Sequence, residues 1–135
     1  MKLFVTDLDG TLLSTDHTLS PYSLEALNSA MENGLPVCIA TGRSYSDILE
    51  IIKDFRIRPY IISSNGASIY DNEGKKIYSI SIPKDQVKEI IEYLHGQNLE
   101  YEVADDEYTY ITKESLDILH KELEDVGSQD STKKK

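Results

Sequence analysis

The sequence predicts an α/β fold built on a parallel sheet, and three observations carry that prediction. The apolar runs Lys2–Thr6, Leu35–Ala40 and Tyr60–Ser63 are continuous rather than alternating, as in strands covered on both faces. Helical patterns separate these runs. Each run leads straight into polar or glycine-rich residues, the composition of loops at the carboxyl ends of parallel strands.

The first crossover begins at Ser20-Pro21, an N-cap followed by proline at the first helical position. Leu24, Leu27, Ala30 and Met31 recur at helical spacing, and Gly34 is placed to end the helix. A second apolar stripe, Ile48, Ile51, Ile52 and Phe55, predicts a helix over Ser44–Phe55, stopped by Arg58-Pro59. After Asn65-Gly66 the pattern alternates. Ser68-Ile69-Tyr70 and Lys76-Ile77-Tyr78 flank Asp71-Asn72-Glu73-Gly74 as the arms of a hairpin.

Pro83 then opens a helix with Val87, Ile90, Ile91 and Leu94 on one face, stopping near Gly96. Strand-like stretches follow at Leu99–Ala104 and Tyr108–Thr112, separated by the acidic turn Asp105-Asp106-Glu107, and a last helix is predicted over Glu114–Asp125. The change of character near Ser79–Pro83 divides the chain into an α/β region, residues 1–80, and an α-β-β-α region, residues 81–126. Residues 127–135 have no apolar side chain and are expected to form a disordered tail.

Composition narrows the function. The chain has 135 residues, with 24 acidic and 14 basic side chains for a formal charge of −10, so a duplex or an anionic membrane surface is repelled. The expectation is no nucleic-acid and no membrane partner. Apolar runs fall far short of the roughly 20 residues a spanning helix requires, and Asp7 interrupts the stretch where a secretion signal needs its apolar segment. Cys38 is the single cysteine and sits in an apolar run, as a reduced thiol packed like a small hydrophobe does. A cytoplasmic protein is expected.

The three strand ends collect the chemistry. The first delivers Asp7-Leu8-Asp9-Gly10-Thr11, the second Thr41-Gly42-Arg43-Ser44, and the third Ser63-Ser64-Asn65-Gly66. Asp7 and Asp9, one residue apart, point the same way while the strand persists. They can share a divalent cation or divide nucleophilic and acid/base roles; equally, Asp9-Gly10 can be a turn beginning with Asp. Thr41-Gly42-Arg43-Ser44 lies where free N–H groups at a helix start favour a phosphate, although Thr or Ser there also serves as an ordinary N-cap. Asn65-Gly66 is a common turn pair. His17, His95 and His120 lack metal-ligand spacing and read as solvated or capping residues. Glu100, Glu102, Asp105, Asp106 and Glu107 lack the calcium-loop pattern and read as a solvated edge.

Asp7-Leu8-Asp9-Gly10-Thr11-Leu12-Leu13 resembles the first motif of the haloacid dehalogenase superfamily, Asp-x-Asp-Gly-Thr. Ile39-Ala40-Thr41-Gly42-Arg43 is similar to its second motif as found in the Cof-type sugar-phosphate phosphatases, and Ser64-Asn65-Gly66-Ala67 resembles the segment those proteins carry before their cap. The matches fall in the family's order, and the resemblance spans residues 1–125.

It implies a Rossmann-like core with the first half of an α+β cap, and a Mg²⁺-dependent phosphohydrolase acting on small phosphorylated metabolites. Asp7 would be the nucleophile that forms an aspartyl-phosphate, and Asp9 the acid/base. Mg²⁺ would meet an Asp7 carboxylate oxygen and the Asp9 main-chain carbonyl. Thr41 and Gly42 would hold phosphoryl oxygens, with Arg43, Asn65 and Gly66 at the substrate entrance. The family's third-motif lysine and fourth-motif Gly-Asp-x-x-x-Asp have no counterpart in this sequence. The resemblance therefore covers an N-terminal part of the family pattern, and weak Mg²⁺ binding with slow turnover is expected. The alternative is a non-catalytic module that retains the phosphate-binding loops. The family's strand order puts two more strands beside the first one, so without them the Lys2–Thr6 strand is expected to be an exposed edge open to self-association.

Overall fold

A computed structural model describes residues 2–97, 99–105 and 108–113. The predicted helix Glu114–Asp125, the tail 127–135 and His120 lie outside the described residues, as do Asp106 and Glu107 of the acidic turn. The described chain divides into two compact units. Of the described residues, the first comprises 2–81 together with Asp105 and Tyr108; the second, 82–97, 99–104 and 109–113.

In the first unit, β1 (Phe4–Thr6), β2 (Val37–Ala40) and β3 (Tyr60–Ser63) are parallel neighbours, joined through α1 (Pro21–Glu32) and α2 (Tyr45–Ile51). Thr6 pairs with Ile39 and Ala40 with Ile62, so the three strands end together on one side of the sheet. β4 (Ser68–Tyr70) then turns back antiparallel to β3, and β5 (Lys76–Ser79) antiparallel to β4, giving a five-stranded sheet in the order β1-β2-β3-β4-β5. The last pair is the predicted hairpin. Asp71 accepts from the N–H groups of Glu73 and Lys75 across its turn.

The caps are where the sequence puts them. Ser20 Oγ accepts from the Ser23 N–H at the start of α1, and Ser44 Oγ from the Asp47 N–H at the start of α2. Gly34 takes φ +80, the left-handed conformation that follows many helix ends. The core joins Leu8, Leu13, Ile39, Ile48, Ile52, Ile61 and Tyr70, with a second cluster of Leu27, Met31 and Val37. The Tyr45 ring stacks on Tyr70 at 3.6 Å between centroids, fastening α2 to β4.

Two expectations are corrected here. The helix predicted to Phe55 ends at Ile51; Ile52 caps it, and Phe55 lies in a following turn, its N–H donating to the Ile52 carbonyl. Burial on both faces holds for β2 but fails for β1, which among the described residues lies at the sheet edge with one strand neighbour where β2 has two. Leu3, Phe4 and Val5 are 52%, 44% and 51% exposed, and Thr6 is the buried residue of that strand.

In the second unit, α3 (Lys84–Gly96) carries the predicted stripe, yet none of its residues is buried. β6 (Glu102–Ala104) and β7 (Thr109–Ile111) form an antiparallel hairpin, shorter than the stretches predicted.

Candidate active site at the strand tips

Directly after β1 the chain makes a wide turn, Leu8–Leu12, closed by the Leu13 N–H donating to the Leu8 carbonyl at 2.9 Å. Inside it Asp9 (φ −72, ψ 127) and Gly10 (φ 70, ψ 3) have the two central conformations of a type II turn, the second of which favours glycine. Leu8 is fully buried while Asp7 and Asp9 stay at the surface, so the core anchors the residue between the two carboxylates. The turn and the functional reading of Asp9-Gly10 are therefore compatible.

The two aspartates are held differently. Asp7 accepts from the Leu8 N–H at 2.7 Å through Oδ1, and its Oδ2 has no partner among the described residues. Asp9 meets Arg43 bidentately, Nε donating to Oδ2 at 2.7 Å and Nη2 to Oδ1 at 2.6 Å, the strong fork geometry of arginine with a carboxylate. That pair bridges the first and second strand tips. The Arg43 guanidinium holds the Asp9 pKa down to about 2, with the nearby His17 adding to the effect.

At the second tip Thr41 is buried. Its Oγ1 accepts from the Arg43 N–H at 3.3 Å, which leaves the hydroxyl proton for another acceptor. The Gly42 N–H has no acceptor among the described residues. A Cβ on Gly42 would stand 3.1 Å from Asn65 Oδ1, so glycine here lets the second and third tips close up.

The third tip is a left-handed turn, with Ser64, Asn65 and Gly66 at φ 50, 55 and 94. Such angles cost roughly 1–2 kcal/mol for a non-glycine residue. The tip is locked against the second by the Ser64 N–H to the Arg43 carbonyl at 2.9 Å and the Asn65 N–H to the Thr41 carbonyl at 3.2 Å.

All seven candidate residues thus lie on three neighbouring tips, with direct ties from Asp9 to Arg43 and from Thr41 and Arg43 to the third tip. One residue read as solvated or capping belongs with them. His17 Nδ1 lies 3.2 Å from Asp9 Oδ1. The missed signal was the polar run Ser14–Thr18 between Leu13 and Leu19, a hairpin pattern that brings position 17 back over the first tip. His95 lies in the last turn of α3.

For a divalent cation the donor set is one of hard oxygens. The open Oδ2 of Asp7 suits Mg²⁺, which takes one or two carboxylates and keeps several waters. The Asp9 carboxylate is occupied by Arg43, so its main-chain oxygen is the atom the family resemblance would use. Among the described residues no group of three or more His, Cys, Asp or Glu side chains is placed to hold a metal.

A parallel α/β core with an Asp-x-Asp tip beside a Thr-Gly-Arg tip is the arrangement of a hydrolase family, and the haloacid dehalogenase-like hydrolase family matches residues 4–135. The chain belongs to that family. Among its relatives is phosphatase YwpJ of Bacillus subtilis, 36% identical over 92% of this chain and 44% of that protein. Another is the B. subtilis 5-amino-6-(5-phospho-D-ribitylamino)uracil phosphatase YwtE, 33% identical over 95% of this chain and 44% of its own length. The structure of a haloacid dehalogenase-like hydrolase from B. subtilis superposes with a TM-score of 0.75 at 36% identity, covering 87% of this chain and 42% of the other. The chain spans less than half the length of these relatives.

Proposed function

We propose that this chain serves a Mg²⁺-dependent phosphohydrolase acting on small phosphorylated metabolites of the sugar-phosphate kind, through a phosphoryl group carried on Asp7. The observation that carries this reading is the convergence of an open Asp7 oxygen, the Thr41 hydroxyl and the Gly42 N–H on adjacent tips. The named activities of YwpJ and YwtE support a phosphoester substrate.

Asp7 Oδ2 attacks phosphorus, the bond from phosphorus to the leaving oxygen breaks, and Asp9 supplies the proton that the leaving oxygen takes up. Water then attacks the phosphorylated Asp7 and gives a proton to the Asp9 carboxylate, releasing phosphate and restoring both aspartates. Thr41 and Gly42 donate to phosphoryl oxygens throughout. Bound Mg²⁺ would neutralise charge between the anionic nucleophile and an anionic substrate, a useful service in a chain of charge −10.

In this cycle the Arg43 clamp keeps Asp9 ionised and at the same time weakens it as a base. For the acid half Arg43 must release Asp9, and a substrate anion is the competing partner that would draw it away. In the second unit, α3 and the β6–β7 hairpin are assigned to a cap that selects the substrate. Cys38, buried and outside any disulfide, is compatible with a cytoplasmic setting, and among the described residues no helix is long and apolar enough to cross a membrane.

Phosphate release from an aryl phosphate, with and without Mg²⁺, tests the reading. Asp7→Asn is expected to lose at least about 10²-fold, since it removes the nucleophile at nearly constant shape. The second reading, a phosphate-binding module without turnover, draws on the small metal-ligand set among the described residues. Equal release by both proteins would favour it.

The edge strand supports a further part of the proposal, pairing of β1 with β1 of a second copy. The Phe4 N–H donates to the Pro36 carbonyl, so alternation turns the Val5 N–H away from β2. Sedimentation should show concentration-dependent association that Val5→Lys abolishes. A monomer at all concentrations would count against it.

A further inference from the structure

We infer that His17 is a positioning residue for Asp9, and that it keeps this carboxylate oriented when Arg43 turns to the substrate. The inference rests on the phosphohydrolase reading above and concerns the same site.

The loop that presents His17 is built for the purpose. Leu13 and Leu19 form an antiparallel bridge, the Ser14 N–H donates to the Thr18 carbonyl, and the His17 N–H donates to the Ser14 carbonyl. Asp16 Oδ1 accepts from the Ser14 and Thr18 hydroxyls and from the Thr18 N–H, tying the loop across its width. The three-residue connection then needs a left-handed residue before Thr18, where glycine or asparagine is the usual choice. This chain places histidine there at φ +57. A conformation costly for a residue with a Cβ is thus spent on bringing an imidazole to the first tip.

The contact has one reading in hydrogen bonds. A carboxylate only accepts, so His17 Nδ1 carries the proton and donates to Asp9 Oδ1 at 3.2 Å. Arg43 Nη2 donates to the same oxygen and Nε to the other. Three donors fix the carboxylate while Arg43 is home. His17 is the donor that stays when Arg43 leaves, because its loop is fastened to itself and not to the second tip. An acid/base held within about 10–20° of its working orientation is what proton transfer requires.

Two variants separate the side chain from the backbone. His17→Gly keeps the left-handed turn and removes the donor; His17→Asn tolerates the same turn and returns a short N–H donor. With an aryl phosphate and Mg²⁺, His17→Gly should lower kcat about five-fold at nearly unchanged KM, and His17→Asn should recover most of it. A kcat for His17→Gly within about two-fold of the parent would overturn the inference.

A second readout does not depend on turnover. Two-bond proton–nitrogen NMR at a pH where the ring is neutral should find His17 as the Nδ1–H tautomer, reverting to Nε2–H in Asp9→Ala. An Nε2–H ring in the parent chain overturns the positioning role. If the chain releases no phosphate through Asp7 but shows the Asp9-dependent Nδ1–H tautomer, the phosphohydrolase reading fails and the His17 contact stands.

Discussion

β1 and β2 are parallel neighbours of similar apolar composition, yet they live in different environments. Val37, Cys38 and Ile39 of β2 are almost wholly buried, while Leu3, Phe4 and Val5 around β1 are about half exposed. The difference lies in position: β2 is flanked by β1 and β3, and among the described residues β1 has a strand partner on one side only. The helices repeat the contrast. α1 buries Leu27, Asn28 and Met31, whereas α3, with the sharper apolar stripe, buries nothing. Apolar pattern declares which face wants cover, and neighbours decide whether it is covered.

The largest test of this contrast truncates one side chain on each strand. Ile39→Ala should cost about 3–4 kcal/mol in urea unfolding, because it opens a cavity at a fully buried site. Val5→Ala on the edge should cost no more than about 0.5 kcal/mol. Equal costs would break the comparison.

A smaller effect is expected where the buried group is polar. Asn28 is 3% exposed and its Oδ1 accepts from the Arg56 N–H at 2.9 Å, anchoring the turn between α2 and β3 onto α1. Arg56 adds exposed ion pairs to Glu25 and Glu32 on the same helix. Asn28→Ala should cost about 2 kcal/mol by leaving that N–H unpaired, and Asn28→Asp should be milder than Asn28→Leu. Identical losses for all three would mean that the hydrogen bond contributes nothing.

The smallest effect concerns Cys38 in β2, whose burial pushes the thiol pKa up. Above the ordinary thiol range the unfolded chain loses its proton before the folded one does, so stability falls as pH rises through that window. Cys38→Ala should remove this alkaline slope. In the folded chain the thiol should react with a disulfide reagent only as fast as the strand opens. Prompt reaction would show that β2 is as accessible as β1.

Much of the fold was legible because it is written in local chemistry. The N-caps Ser20 and Ser44, the stop at Gly34 and the turn at Asp71 each act through a neighbour within four residues. The seven tip residues were legible for a related reason, since helical crossovers make successive strands parallel, and parallel strands all end on the same side of a sheet. His17 was passed over because its partner lies eight residues away across a hairpin. Asn28 was hidden in a helical stripe, and its acceptor role appears only against Arg56.

The sequence by itself determined the strand and helix order, the hairpin after the third strand and the set of side chains at the tips. These follow from periodicity, capping and turn chemistry, which act over a few residues. The tertiary structure alone decided that Arg43 grips Asp9 rather than facing solvent, and that His17 joins them. Those outcomes depend on which segments meet through space, and a carboxylate's partners are fixed by the distance between chain segments rather than by their order along the chain.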